Sequence, residues 1–434
     1  MLSKEHTRKY LLILVMGVLL LPLFQECTNL FREKQLSGFY HPAKKPVAGF
    51  DGWWNGTFQD SFEIYHNEQF GFRNSFVRLH NQVEYDLFRH PNANGIVSGK
   101  NDFLYELKYI NAYNGDDYIG DFPVREMARK LKMIQDTLSK KNITLIVVFA
   151  PGKASFYPEY IPDELLHTGK PTNYKTMSAL FNASGINFIN FNSWFIRKKE
   201  KDKCPLYPKT GIHWSRYGSV LAMDSLISYI ERKRNIDMPS VVLKGFTWSD
   251  SIQSPDDDIG QSLNLIFPVH PLLMAYPDYN FENPNQKAKV KMMVIGDSFF
   301  WNFYDIRLAP RSFESIDFWY YNAEVYHTDG RSKEMAENAD NCLESETNEV
   351  VMLMASEASL SGFGWGYIDD AYDYFVLKRT DRILNKMIRV YETKIRMDPA
   401  WMMTMKAKAE TAKIPLDSMI HLDAIYLAEQ KIKK

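Results

Sequence analysis

A chain of 434 residues with 45% hydrophobic and 24% charged side chains is long enough to bury a large core and has an ordinary folded composition. Its 52 Lys and Arg nearly cancel its 53 Asp and Glu, leaving a formal net charge of -1. This excludes the clustered excess of basic residues that marks a nucleic-acid surface, so no nucleic-acid partner is expected. Length alone allows two or three domains. The three cysteines, Cys27, Cys204 and Cys342, lack the Cys-x-x-Cys spacing of a metal centre, so none is expected. Cys204 and Cys342 are open to two readings, a disulfide in an oxidising compartment or thiols without a role.

The amino terminus places Lys4, Arg8 and Lys9 before an apolar run from Tyr10 to Phe24. A basic flank stays on the cytoplasmic side of a membrane, so the chain beyond the apolar run is exported. The run fits a short spanning helix or a signal-peptide core. An uncleaved anchor is favoured, because Pro22 to Asn29 offers no small-x-small site and Phe24-Gln25-Glu26 before Cys27 does not suit lipid attachment. From Leu30 to His90 an aromatic and polar lead-in is expected to pack on the main domain and to end in a helix near Ser75–Phe88. Val97 to Tyr105 reads as strand–turn–strand around Gly99-Lys100-Asn101-Asp102.

Apolar residues at Val124, Met127, Leu131, Ile134 and Leu138 have helical spacing, and Ile143 to Phe149 is a β-branched strand ending at Ala150-Pro151-Gly152-Lys153. A helix from Thr172 to Ala183 stops at Gly185, and a strand runs from Ile186 to Phe191. This β-α-β alternation predicts a parallel sheet with helices on both faces. Ser215 caps a helix carrying Val220, Leu221, Leu226, Ile227 and Ile230, which leaves His213 in the loop just before it. Thr247 to Pro284 reads as loop, with Asp256-Asp257-Asp258 in a solvated surface turn. Further strands are expected at Met292–Ile295, Ile316–Tyr321 and Glu349–Met354, five in all. From Ala371 the chain is helical, with new starts at Pro399 and Pro415 and Lys431, Lys433 and Lys434 at the end. The expected divisions are an anchor over 1–30, a catalytic domain with its lead-in over 31–370 and a helical extension over 371–434.

The organising stretch is Lys291-Met-Met-Val-Ile-Gly-Asp-Ser-Phe-Phe300. A buried strand ending in Gly296-Asp297-Ser298 leaves the serine at the carboxyl end of a strand, where open α/β sheets hold their ligands. A serine hydroxyl becomes a nucleophile when a base takes its proton and amides await the oxyanion. His213 is the candidate base. Asn322 is a candidate second oxyanion donor, Trp214 and Trp301 are candidates to stack on a sugar ring, and Lys153 and Arg216 to contact an acidic sugar.

Together these residues resemble the AlgX/AlgJ-like alginate O-acetyltransferases of the SGNH hydrolase-like superfamily. Gly296-Asp297-Ser298 is similar to the first SGNH block, and Ile212-His213-Trp214 to an Asp-x-His-Trp motif that in this family precedes the serine, a permuted order. Ser98 to Tyr105 resembles the family's Gly-Lys-Asp-Gly-Trp-Leu-Phe segment, and Ala150-Pro151-Gly152-Lys153 with Tyr157-Pro158 its Pro-x-Lys…Tyr-Pro stretch. The similarity covers about Phe50 to Gly366. It implies a three-layer α/β/α domain with a mostly parallel sheet, an N-terminal membrane anchor and C-terminal helices. It also implies acetylation of an exopolysaccharide outside the cytoplasmic membrane through a Ser298 acyl-enzyme, with no cofactor. The implied partners are the polysaccharide acceptor, an acetyl donor delivered by a membrane-bound O-acyltransferase, and the membrane itself. A carbohydrate acetylesterase and a non-catalytic polysaccharide-binding scaffold of an export complex are the alternatives.

One position departs from the motif: Gly211 stands where the family has aspartate. A carboxylate elsewhere substitutes, a backbone carbonyl holds His213 in a working dyad, or the site is degraded. The first two are favoured, because both Ser298 and His213 are present. Asp297 joins the candidate catalytic residues, though in SGNH motifs this aspartate more often stabilises the turn than serves as the triad acid.

Overall fold

The computed structural model describes residues 4–38, 43–167, 169–379 and 382–432, and the chain divides into two compact units. One comprises Met1–Ser98 with Asp258–His270, the other Gly99–Asp257 with Pro271–Lys434.

The larger unit is built on a sheet whose described strands number seven. They are β1 (Thr144–Ala150), β2 (Phe188–Asn190), β3 (Lys291–Gly296), β4 (Ser315–Tyr320), β5 (Glu324–His327), β6 (Glu334–Met335) and β7 (Val350–Ser356). Their order is β6-β5-β4-β3-β7-β1-β2. Strands β2, β1, β7, β3 and β4 pair in parallel, with Leu353 opposite both Val147 and Ile295. β5 and β6 add antiparallel at one edge. The five strands read from sequence are the parallel ones. The chain runs outward from β1 to β2 on one side and from β3 to β4 on the other. That reversal opens a crevice at the strands' carboxyl ends.

Both sheet faces are buried, which gives three layers. Leu145, Val147, Met293, Ile295, Val351 and Leu353 share one core with Leu131, Ile134 and Leu138 of the helix Asp121–Ser139. Side chains alternate along a strand, and Ile146, Val148, Met292, Val294, Met352 and Met354 are equally buried on the other face. The helices Asn173–Ala183 and Arg216–Arg234 begin as read, with the Thr172 side chain accepting from Lys175 N and the Ser215 side chain from Gly218 N.

The edge strands escape sequence reading because they are short and largely polar. Val325 alone of β5 enters the main core, and a polar ladder supplies the rest of the hold. His327 on β5 meets Asp317 on β4 through Nδ1 at 2.7 Å and Glu334 on β6 through Nε2 at 3.0 Å. Arg331 pairs with Asp317 and, at 3.3 Å, with Glu344, whose other oxygen accepts from Trp319 Nε1 at 2.8 Å.

The stretch read as loop from Thr247 carries an antiparallel ribbon, Val241–Ser249 against Met274–Phe281, with an irregularity between Leu243 and Gly245. Most of its first strand is exposed, so no apolar alternation marks it. The acidic triplet also departs from expectation, since Asp256 is only 1% exposed. Among the described residues all three cysteines are free, and Cys204 and Cys342 are buried. The C-terminal helices are Arg382–Met397, Pro399–Ala412 and Leu416–Ile432, with a small core of Ile395, Met405, Ile420 and Ala424. Lys431 lies in the last turn, and Lys433 and Lys434 fall outside the described residues.

In the smaller unit the helix Lys4–Thr28 contains Arg8–Thr28, the one stretch among the described residues long and apolar enough to cross a membrane. The helix expected near Ser75–Phe88 spans Arg73–Phe88. Asn81 of that helix donates to Leu263 O at 2.8 Å, and Gln82 accepts from Phe267 N at 2.9 Å.

Leu353 sits at the centre of the parallel strands with no exposure. Leu353→Ala is expected to cost about 2–5 kcal/mol, read as a lower urea midpoint at unchanged slope.

Candidate active site

Strand β3 ends at Gly296, where a methyl group would stand 3.3 Å from Met354 O on β7. Asp297 then turns the chain. One of its oxygens accepts from Phe299 N at 3.1 Å and the other from Ser356 N at 2.7 Å. Both oxygens are thus engaged by backbone amides, so Asp297 fixes the turn and is not the acid behind the histidine. Ser298 comes next, at the first position of a short 3-10 turn.

His213 Nε2 lies 2.8 Å from Ser298 Oγ. Eighty-five positions apart in sequence, the two side chains share one hydrogen bond. The histidine loop is held at several points. Lys153 is fully buried, and its ammonium donates to Lys209 O at 2.7 Å and Gly211 O at 2.6 Å. A buried cation is tolerated only when such acceptors replace water. Trp214 is also fully buried, packed on Phe191, Phe195, Phe299 and Phe303. Asn302, just past the serine, donates to Trp214 O at 3.2 Å and so ties the serine's segment to the histidine's. The Ser215 hydroxyl donates to Pro205 O at 2.7 Å.

These positions correct several expected sugar contacts. Lys153 and Trp214 are interior, so neither meets a ligand. Arg216 grips its neighbouring loop, donating from Nε to Ser254 O at 2.9 Å and from Nη1 to Gln253 Oε1 at 2.9 Å. Asn322 is buried and its amide donates to Trp365 O at 3.0 Å, which engages it elsewhere than in an oxyanion hole. Trp301 is half-buried among Phe318, Tyr320 and Tyr326, and of the expected stacking residues it alone keeps an open edge.

Gly211 has a steric explanation. A Cβ there would stand 2.7 Å from Asp256 O and 2.7 Å from Pro208 Cγ. The Asp256 backbone occupies the space an aspartate side chain would need. The Asp305 carboxyl is within electrostatic reach of His213 and Arg216, though burial still raises its pKa.

Two neighbours give no sign of themselves in the sequence. Tyr321 reads as the end of a strand, yet burial, with the charge of Asp297, raises its phenol pKa well above the ordinary value. Glu357 lies directly after β7, only 3% exposed, and burial pushes its carboxyl up to about 7. Asn192 Nδ2 donates to it at 3.3 Å.

Residues 96–252 match the family model described as ALGX: SGNH hydrolase-like domain, acetyltransferase AlgX. Over that stretch the chain is similar to the AlgX acetyltransferase domain. His213 lies inside the AlgX-like match and Ser298 beyond it. The "Probable alginate O-acetylase AlgJ" of Pseudomonas aeruginosa is 24% identical over 208 residues, which is 48% of this chain and 49% of the relative. Its namesake from Azotobacter vinelandii is 22% identical over 206 residues, 47% of this chain and 49% of the relative. The chain thus spans about half the length of these AlgJ relatives. The solved O-acetyltransferase domain of Pseudomonas putida AlgJ is 15% identical at a TM-score of 0.39, covering 64% of this chain and 99% of that one.

The packing around the site sets two expected outcomes. Gly211→Ala must displace backbone or proline ring and is expected to cost about 1–3 kcal/mol in chemical denaturation. Glu357 has a folded pKa above its ordinary 4.5, so its contribution to stability is present below about 4.5 and is lost as pH rises through about 7. Glu357→Gln is expected to flatten that slope by a few kcal/mol between those limits, measured as the difference between the two denaturation profiles.

Proposed function

We propose that this protein is an exported, membrane-anchored O-acetyltransferase that modifies an exopolysaccharide through a Ser298 acyl-enzyme. The observation that carries the reading is the 2.8 Å contact between His213 Nε2 and Ser298 Oγ. It lies at the carboxyl end of a parallel strand in a chain with an AlgX-like match.

In this mechanism Ser298 Oγ attacks the acetyl carbonyl of the donor while Nε2 takes its proton and passes it to the departing group. The Ser298 amide faces the forming oxyanion. A sugar hydroxyl then gives its proton to Nε2, attacks the acetyl ester and frees the serine. Trp301 is the aromatic surface left for the acceptor ring. The donor is an acetyl group presented by a membrane-bound O-acyltransferase partner, and the helix Arg8–Thr28 is the anchor that keeps the domain beside it, facing the periplasm or exterior. Both partners follow from the family alone.

A scaffold that only binds polymer has no use for a nucleophile and base in hydrogen-bond contact. An esterase would use the same pair with water as acceptor, and water exclusion separates the two. Ser298→Ala is expected to abolish polymer acetylation, and His213→Ala to lower it at least about 10³-fold. The measurement is acetyl content of polymer from a deletion strain complemented with each variant. Wild-type acetyl levels in Ser298→Ala would sink the proposal, and purified protein that hydrolyses a donor faster with oligosaccharide present but unacetylated would favour the esterase.

A further inference from the structure

The apolar helix Arg8–Thr28 is not the sole bare surface of the smaller unit. Two helices further along, Phe50–Trp54 and Thr57–Gln69, bury none of their residues. Their rings form a row. Phe50 stacks on Trp54 at 6.2 Å, Trp53 lies 5.7 Å from Phe58, Phe58 stacks on Phe62 at 5.8 Å, and Phe62 on His66 at 6.0 Å. By helical spacing Phe58, Phe62 and Tyr65 share one face of the longer helix, with Asp60, Glu63 and Asn67 on the opposite one. Phe50 is 81% exposed, Trp53 61% and Trp54 82%. Large rings left in water in such number mark a contact surface.

The far end of the row is tied to the end of the apolar helix. His66 Nδ1 lies 3.9 Å from Glu26 Oε1. Gly71 presses its backbone on Pro22 O, and a Cβ there would stand 2.8 Å from that of Gln25. The Phe72 ring is 5.7 Å from that of Phe31, just past the apolar helix. The 21 residues of Arg8–Thr28, at about 1.5 Å each, cross a hydrocarbon core of roughly 30 Å, so Pro22 to Glu26 stand near the exported boundary of a bilayer. The ring row starts at that depth, where tryptophan and tyrosine collect in membrane proteins and amphipathic helices lie flat. We propose that Phe50–Trp54 and Thr57–Gln69 lie in the lipid–water boundary of the exported leaflet, with Trp53, Trp54 and Phe62 turned toward the acyl chains. The proposal rests on the anchor reading of Arg8–Thr28. Lipid is the occupant because the row continues from a helix whose own side chains face lipid, while the acidic Asp60 and Glu63 are kept to the opposite face.

The test uses the full chain carrying Cys27→Ser, which removes the exposed cysteine, reconstituted in vesicles of phosphatidylethanolamine and phosphatidylglycerol. Nitroxides are placed singly by Trp54→Cys, Phe62→Cys, Glu63→Cys and Val15→Cys. Their collisions with oxygen, which partitions into lipid, are compared with those with a water-soluble nickel chelate. The Val15 label lies in the spanning stretch and reports insertion. The oxygen-to-nickel ratio of the Trp54 and Phe62 labels is expected to exceed that of the Glu63 label at least about fivefold. As a check free of labels, lipid brominated high on its acyl chains is expected to quench tryptophan emission, and a Trp53→Phe, Trp54→Phe variant to lose at least about half of that quenching. Ratios for Trp54 and Phe62 within about twofold of Glu63 overturn the proposal, as do low collision rates with both reagents, which signify cover by protein. Equal quenching in the double variant and the wild type overturns it too. Each of these outcomes is read with the Val15 label in lipid, so the anchor survives it. A water-exposed Val15 label refutes the anchor, and the surface proposal with it.

Discussion

The histidine loop depends on one buried cation. Lys153 leaves the end of β1 and spends its ammonium on two carbonyls, Lys209 O and Gly211 O, within a segment that has no regular secondary structure of its own. Charge-assisted hydrogen bonds in a dry interior are strong, and losing either acceptor would strand a charge away from water. The loop therefore cannot drift without exposing a large cost. His213, two residues past the second carbonyl, inherits that fixity. The Tyr105 ring, 5.5 Å from the ammonium, adds a π face to the same cage.

The serine is fixed by different means. Its strand is buried on both faces, its turn is locked by Asp297 to two amides, and the residues just after it, Phe299, Asn302 and Phe303, are built into the packing of Trp214. Ser298 and His213 are thus brought together through one aromatic cluster. The same cluster packs against the imidazole, whose ring lies 4.8 Å from that of Phe299. The interior side chains around the pair set geometry, and the open side is left for ligands.

Much of this is legible in the chain. The parallel strands announce themselves as dense apolar runs, because a strand covered on both faces has no polar alternation. Ser298 and His213 stand out because glycine-bounded strand ends and capped helix starts are places where a side chain is held without being buried. Lys153 and Trp214 mislead for a common reason: a charged or aromatic residue beside a motif looks like a ligand contact until its burial is known. Gly211 looks like a lost carboxylate, whereas the deciding fact is a backbone 45 positions later that fills the same space. Long-range sterics of this sort leave no local signal. The edge strands β5 and β6 are hidden because they are short and joined largely through polar side chains, which leave no apolar run.

The asparagine–aspartate–arginine relay behind Tyr321 gives the carboxyl-terminal helices a structural duty. Arg389 supports Asp370, Asp370 engages Asn341, and Asn341 braces Asn322 beside Tyr321. A shortened protein ending before that arginine would keep every described sheet strand yet leave the turn after β4, at Tyr321 and Asn322, without a buttress. The minimal stable fragment is therefore larger than the sheet and its flanking layers, and trimming for crystallisation or expression should stop downstream of the first of these helices.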